Sequence, residues 1–344
     1  MAAHPLGARP TRQGQYEKHG LDFRMTADAR PVLITGATGF LGSWIIARLL
    51  STGSKVVATD VTDDRSRIDS LVPPADQGAI DWRHCDVSDG YAVDALFAEV
   101  APAAVIHLAA LQIPACRANP VACARVNIIG QINVFEAARK HGVGNLVYTS
   151  SIAAKPRGPA NAPANLYGVF KKTDEEIARL YWEDHGISSL GLRPFIVYGV
   201  GRDDGETSAI TRAIRAAALG HAYELPFRTE SCFQYAGEVA EIFARATEAH
   251  WDGALVSDLT TEVASTDDLL AAIRMIVPGA TVTTAEIHRA SPTDGFDNAP
   301  LKRVIGDWPA TSLADGVRET VARFRALEGG PAAATAAGAA RKNW

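Results

Sequence analysis

Thr35-Gly36-Ala37-Thr38-Gly39-Phe40-Leu41-Gly42 stands between a short apolar run, Pro31–Thr35, and a segment of helical periodicity, Phe40–Leu50. Few folds can host such a junction. Glycines at 36, 39 and 42 let the backbone turn sharply and approach a bound group, because no side chain stands in the way. The helix that follows offers free N–H groups and the positive end of its dipole at that turn. Strand, glycine-rich turn and helix, in that order, form a cradle for a dinucleotide pyrophosphate. Such a unit commits the chain to parallel strand pairing with right-handed crossovers.

The first half keeps to that plan. Short apolar runs at Lys55–Thr59, Ile80–Cys85, Ala104–Leu108 and Asn145–Thr149 read as buried strands. Between them, helical patterns follow Phe40–Leu50, a stretch from Ser88 to about Val100 with Ser88 as its cap, and Asn119–His141, ended by Gly142. Leu166–His185 is a further helix and Ser189–Arg193 a further strand. Beyond about Gly201 the pattern predicts helices near Ser208–Leu219, Gly237–His250, Thr266–Ile276 and Leu313–Leu327. Strands near Ala222–Pro226, Ala254–Ser257 and Thr281–Ile287 alternate with them. The fold class is therefore α/β: a doubly wound parallel sheet of the Rossmann type with a smaller C-terminal α/β substrate region. We divide the chain into a disordered N-terminal extension (1–30), an NAD-binding Rossmann region (31–200), a smaller substrate-binding region (201–328) mixed with elements of the first, and a flexible tail (329–344). Met25 reads as a natural start just before the first strand.

Composition narrows the function. A net charge of −5 with no basic block argues against a nucleic-acid partner. No apolar run reaches the roughly 18 residues that would span a bilayer. Cys85, Cys116, Cys123 and Cys232 are scattered and form no CxxC pair, so free thiols in a cytoplasmic protein are expected, with no metal centre.

Two further features carry chemistry. Asp60 closes the second strand, 24 residues after Gly36. A carboxylate there accepts hydrogen bonds from both ribose hydroxyls and repels a 2′-phosphate, which favours NAD over NADP. Arg65 lies beyond Asp63 and Asp64 and reads as surface charge. Tyr167-Gly168-Val169-Phe170-Lys171 puts a phenol and an ammonium four residues apart, on one helix face. A free phenol titrates near 10, and a neighbouring cation favours its ionised form, so Tyr167 can serve as acid or base close to neutral pH. Hydride transfer between a nicotinamide and an alcohol or carbonyl is the chemistry that needs such a group.

In its combination of motifs the chain resembles the extended short-chain dehydrogenase/reductase superfamily, over roughly residues 31–250. The resemblance rests on TGATGFLG, Asp60, Cys85-Asp86-Val87, His107-Leu108-Ala109-Ala110, Asn127, Thr149-Ser150-Ser151, Tyr167-Gly168-Val169-Phe170-Lys171 and Arg193 to Gly199, in that order. It implies that Thr38, Phe40 and Leu41 join the glycines around the cofactor. Asp86 and Val87 would face the adenine, and Leu108, Ala109 and Ala110 would pass beneath ribose and pyrophosphate. Lys171 would bond the nicotinamide ribose, while Pro194, Ile196 and Val197 would flank the nicotinamide. Ser151 would polarise the reacting oxygen, with Ser150 the second choice. Asn127 would brace the active-site strand or the cofactor, and a buried polar contact is an equal alternative for it. A homodimer built from the helices near Asn119–His141 and Leu166–His185 is also implied.

The chain departs from the nucleotide-sugar members of that superfamily at two places. Ile196 stands where they carry Asn, and Ser231 where they carry Arg, so both anchors for a substrate diphosphate are missing. The expected substrate is accordingly small and free of a nucleotide: a sugar, sugar acid or polyol-like compound. Gln112, Ser151, Arg228, Gln234 and Tyr235 are its candidate contacts, and Arg212 is a second possible compensating cation. The alternatives are an NAD-retaining nucleotide-sugar epimerase or dehydratase and a non-catalytic NAD-binding sensor.

Overall fold

A computed structural model describes residues 30–329 apart from 159 and 261. The N-terminal extension short of Arg30, and the tail beyond Gly329, lie outside the described residues. Six parallel strands alternate with helices in the first half: β1 (Val32–Thr35), β2 (Val56–Asp60), β3 (Ile80–His84), β4 (Ala104–His107), β5 (Leu146–Thr149) and β6 (Ser189–Arg193). With the later strand Ala254–Asp258 they form a seven-stranded sheet, ordered Ala254–Asp258, β6, β5, β4, β1, β2, β3. Every pairing in it is parallel. The chain order reverses between β1 and β4, and the strand ends on either side of that point open a crevice. Strand residues such as Leu33, Ile34, Val105 and Ile106 are fully buried, as a sheet covered on both faces requires.

Helix α1 (Phe40–Ser51) follows the glycine turn and packs on the helix Ala236–Glu248. Its Trp44 is fully buried, donates its indole N–H to Val200 O at 2.9 Å, and meets the Tyr235 ring edge-on at 5.4 Å. Removing such a side chain costs about 3–5 kcal/mol. One hydrophobic cluster runs from Ile34 and Trp44 to Val317 and Phe324, so the C-terminal segment shares its core with the sheet. There, Phe233–Tyr235 pairs with β7 (Ile196–Tyr198), and Ala264–Ser265 pairs antiparallel with Glu230–Ser231.

Three details differ from the sequence reading. The helix before Val100 is capped by Asp89, whose carboxylate accepts from Tyr91 N and Ala92 N; Ser88 instead donates its N–H to Asp86. The pattern Asn119–His141 is not one helix: Pro120–Ala124 and Gly130–His141 flank a π-turn at Arg125–Ile129. Cys116 and Cys123, expected as free thiols, are joined by a disulfide, with Cα atoms 5.0 Å apart. Two short helices bring them together, a convergence that a spacing of seven does not reveal. Cys85 and Cys232 are free and buried.

Candidate active site

The turn after β1 is shaped by what its glycines exclude. Gly36 has φ +67, and a Cβ there would lie 2.7 Å from Ala109 N. A Cβ on Gly42 would lie 2.6 Å from the carbonyl oxygens of both Gly36 and Ala37. Gly39 caps α1 without a side-chain hydrogen bond and leaves the first-turn amides to a ligand. Asp60 ends β2 beside this turn. Its Oδ2 accepts from Thr38 N at 3.0 Å and Thr38 Oγ1 at 2.8 Å, and its Oδ1 from Val61 N at 2.8 Å. The carboxylate is thus fixed, with lone pairs remaining for ribose hydroxyls. Turn and carboxylate line one cavity of about 440 Å³ at the carboxyl ends of the strands, a volume typical of a cofactor site.

The far end of that cavity is built from hydroxyls. Thr149, Ser150, Ser151 and Tyr167 line it, with Pro194, Phe195 and Val197 from the segment after β6. Tyr167 is buried in the first turn of the helix Leu166–His185, which Asn165 caps by accepting from Gly168 N. The two serines differ. Ser150 is buried and gives its proton to Glu175 Oε1 at 2.6 Å. Ser151 accepts from Ala153 N at 3.1 Å and so keeps its own proton to donate. That difference leaves Ser151, and not Ser150, with a hydroxyl proton that no partner holds.

Behind the hydroxyls lie buried charges. Lys171 donates to Thr149 O at 2.8 Å and to Asp174 Oδ2 at 3.2 Å, one turn further along the helix. Asp174 is fully buried, and burial raises its carboxyl to about 6 against the opposing pull of Lys171. Glu175 receives both arms of Arg193 at 2.7 Å. Asp258 accepts from Lys155 Nζ at 2.5 Å and from Asp297 N at 2.8 Å, tying the loop after Ser151 to the loop at 295–297. Phe195 meets Phe296 edge-on at 4.7 Å on the same side. His107, under the cavity floor, bonds Thr35 Oγ1 through Nδ1 at 2.7 Å, and burial, helped by Lys171, lowers it to about 3. It is a neutral imidazole at working pH.

Most of the residues singled out from sequence meet here. Gly36, Thr38, Gly39, Phe40, Leu41, Gly42, Asp60, Asp86, Val87, Leu108, Ala109, Ala110, Tyr167, Pro194 and Val197 line the cavity, as do Gln112 and Ser151. Lys171 lies one layer back. Asn127, on the π-turn, also stands behind the wall: its Oδ1 accepts from Leu111 N at 2.8 Å and its Nδ2 donates to Leu111 O at 3.0 Å. It braces the segment that carries Leu111 and Gln112.

Other candidates fall elsewhere. Ile196 packs in the core opposite Phe233, and Phe195 takes the place at the cavity wall. Tyr235 belongs to the aromatic core with Trp44 and Tyr198. Gln234 accepts from Phe195 N at 2.9 Å and so acts on the wall from behind. Arg228 is taken up by Asp267 at 2.9 Å and Glu286 at 3.0 Å. Arg212 donates to Ser208, and Arg65 lies over the Trp82 ring at 4.4 Å. The sequence reading passed over a second wall. Arg67, Gly201, Arg202, Asp203 and Asp204 also line the cavity, and Arg67 donates to Gly201 O at 2.9 Å.

The profile of the NAD dependent epimerase/dehydratase family matches residues 32–255. The chain belongs to that family. It is an NAD-dependent enzyme of the extended short-chain dehydrogenase/reductase type. The glycine cradle, the uncapped helix end and the fixed Asp60 fit that cofactor. Among curated members, the UDP-glucose 4-epimerase of Mycolicibacterium smegmatis is 29% identical over 314 residues, covering 85% of this chain and 98% of its own. The solved UDP-glucose 4-epimerase of Thermus thermophilus, a complex with NAD, is 26% identical with a TM-score of 0.67, covering 86% of this chain and 99% of its own. The L-threonine dehydrogenase of Clostridium difficile shares the fold at 18% identity, with a TM-score of 0.74 over 86% of this chain and 98% of its own. The same fold therefore occurs in an epimerase and in a dehydrogenase.

Proposed function

We propose that the protein is an NAD-dependent dehydrogenase of a small, non-nucleotide hydroxy or carbonyl compound, a sugar, sugar acid or polyol. The observation that carries the reading is the meeting of Tyr167 and Ser151 in the cavity that the glycine turn opens. Gly36 to Gly42 hold the pyrophosphate on backbone amides. Asp60 takes the adenosine ribose, Asp86 and Val87 border the adenine, and Leu108 to Ala110 form the floor. NAD, when bound, supplies the hydride acceptor. Tyr167 takes the proton from the substrate hydroxyl, and Ser151 donates to the same oxygen. Lys171, anchored to Thr149 O and Asp174, stands one helical turn from Tyr167 and reaches the nicotinamide ribose with its remaining N–H.

The substrate side supports a compound without a nucleotide. Ser231 bonds Ser291 at 3.0 Å, Ile196 is core, and Arg228 is balanced by two carboxylates. None of these offers a diphosphate a counter-charge. The competing reading is an NAD-retaining epimerase of a UDP-sugar, which the names of the two relatives above favour. Absorbance at 340 nm with NAD and a panel of free sugars, sugar acids and polyols separates the two, with UDP-sugars and NADP as parallel arms. NADH formed from one free compound supports the dehydrogenase. Conversion of a UDP-sugar without net redox change sinks it. Tyr167→Phe should lower turnover by about 10²–10⁴-fold while NAD affinity stays within about twofold; unchanged turnover would remove Tyr167 from the mechanism.

We also propose a homodimer through the helices Gly130–His141 and Leu166–His185. Ile129, Leu166, Val169 and Leu180 are 39–46% exposed on and beside them, an apolar surface that a second copy would cover. Sedimentation should give twice the 36.5 kDa of one chain.

A further inference from the structure

The second cavity wall contains an arginine in an unusual electrostatic position. Arg202 lines the cavity, and its guanidinium lies over the Phe40 ring at 5.7 Å, at the start of α1. Of its donors, Nη2 reaches only a neutral acceptor, Thr207 Oγ1, at 3.3 Å, and Nε is buried without a hydrogen-bond partner. The neighbouring carboxylates act on it only at a distance and form their ion pairs with Arg67. Asp203 and Asp204 sit 3.6 and 3.8 Å from Arg67 and are 67% and 94% exposed, so water screens whatever they contribute. Burial lowers the Arg202 guanidinium pKa; Tyr167, Asp204 and Asp203 oppose that shift and Arg67 adds to it. Arg228, by contrast, has its charge met by carboxylates on two sides.

A largely buried guanidinium with no carboxylate in hydrogen-bond contact is poorly compensated until an anion arrives. Its planar guanidinium matches a carboxylate or a phosphate, and Arg202 lines a cavity that also holds the hydroxyls of Tyr167 and Ser151. Two anions could enter: the cofactor pyrophosphate or an acidic group on the substrate. The pyrophosphate already has the backbone cradle and the α1 terminus. We infer that Arg202 anchors the carboxylate of the substrate, which makes that substrate a sugar acid or related hydroxy acid. The assignment rests on the dehydrogenase reading above and sharpens it. The carboxylate on Arg202 would set the position of the hydroxyl presented to Tyr167 and Ser151.

Binding is read apart from turnover. The full-length, NAD-loaded protein is titrated calorimetrically with D-gluconate and D-glucuronate, and with their neutral counterparts D-glucitol and D-glucose. A UDP-glucose arm and an NAD titration of the cofactor-free protein run beside it. At least one acid should bind at least tenfold more tightly than its neutral counterpart. Arg202→Gln should remove that preference while leaving NAD affinity within about twofold, and Arg202→Lys should keep part of it, since the charge stays and the fork is lost. Equal binding of acids and neutral compounds by the unaltered protein would overturn the inference. So would a tenfold loss of NAD affinity in Arg202→Gln, which would assign the arginine to the pyrophosphate. So would a loss confined to UDP-glucose, which would assign it to a substrate diphosphate. Acids that bind through Arg202 yet yield no NADH would instead count against the dehydrogenase reading and leave the carboxylate site standing. Thermal unfolding of Arg202→Gln within a few degrees of the unaltered protein keeps the comparison between folded states.

Discussion

The two ends of the cavity are built on opposite principles. The end at the glycine turn is made of backbone and is shaped by missing side chains: no Cβ fits at Gly36 or Gly42. The hydroxyl end is made of side chains and is held in place by buried charges, Lys171 with Asp174 and Glu175 with Arg193. The first is rigid because alternatives clash. The second is positioned by ion pairs whose strength depends on pH. A steric cradle recognises what every dinucleotide shares, whereas a charge-held set of hydroxyls can be tuned to one reaction.

The largest effect that separates the two ends is expected at Gly36. Gly36→Ala places a Cβ against Ala109 backbone at a positive φ, which should cost about 2–4 kcal/mol. It should lower the unfolding midpoint by several degrees and NAD affinity by tenfold or more, with no change in the pH dependence of stability. A variant that binds NAD normally would show that the turn yields more readily than its geometry implies.

Asp174 tests the other end. Its folded-state pKa, about 6, lies above the ordinary 3.8. The native state therefore holds this proton more tightly than the unfolded chain does. The contribution is fully present below about pH 3.8 and is lost as pH rises through about 6, to the extent of about 3 kcal/mol. His107 runs the other way. Its pKa falls from 6.5 to about 3, so its contribution is intact above pH 6.5 and fades as pH drops. Urea denaturation of Asp174→Asn between pH 4 and 7 should show a protein more stable than the unaltered one at neutral pH, because the ionised carboxyl is the disfavoured form there even with Lys171 beside it. The gap to the unaltered protein should close toward pH 4. A gap independent of pH would place the Asp174 pKa near 3.8 and remove the distinction drawn here. Lys171 and Glu175 on the same helix, Tyr148 on β5, Arg193 on β6 and His107 on β4 are the charged and titratable groups that surround this site.

The smallest effect is expected at Arg228. Its partners are 67% and 83% exposed, so Arg228→Ala should change stability by less than about 1 kcal/mol. It should leave substrate KM unaltered. A tenfold rise in KM would return this residue to the substrate site.

The backbone-built end was legible in sequence because it is local. Glycine spacing, the preceding strand and the following helix all lie within residues 31–50, and Asp60 follows one crossover later. Tyr167 and Lys171 were legible for the same reason, being one turn apart. The side-chain-built end was not. Whether Ile196 or Phe195 faces the cavity depends on the pairing of β7 with Phe233–Tyr235, and strand alternation inverts with a shift of one residue. That pairing also sends Tyr235 into the core and Gln234 behind the wall. Arg228 looked available because its partners, Asp267 and Glu286, are 39 and 58 residues away. Arg202 and Asp174 carry no local pattern; only burial distinguishes them from surface charge.

The π-turn at Arg125–Ile129 gives this architecture a sensitivity to chain length that differs from its sensitivity to side-chain identity. An α-helix advances each side chain by about 100° around its axis, and the π-turn absorbs one additional residue. Deleting any one residue of that turn would let the backbone relax to regular helix. Asn127 would then swing away from Leu111 although no functional side chain had been replaced. Exchanges that keep the count would preserve the phase of the helix. The wall bearing Leu111 and Gln112 is thus kept in place by counting as much as by chemistry, and homologous chains that differ in length here would present a differently shaped cavity to their substrates.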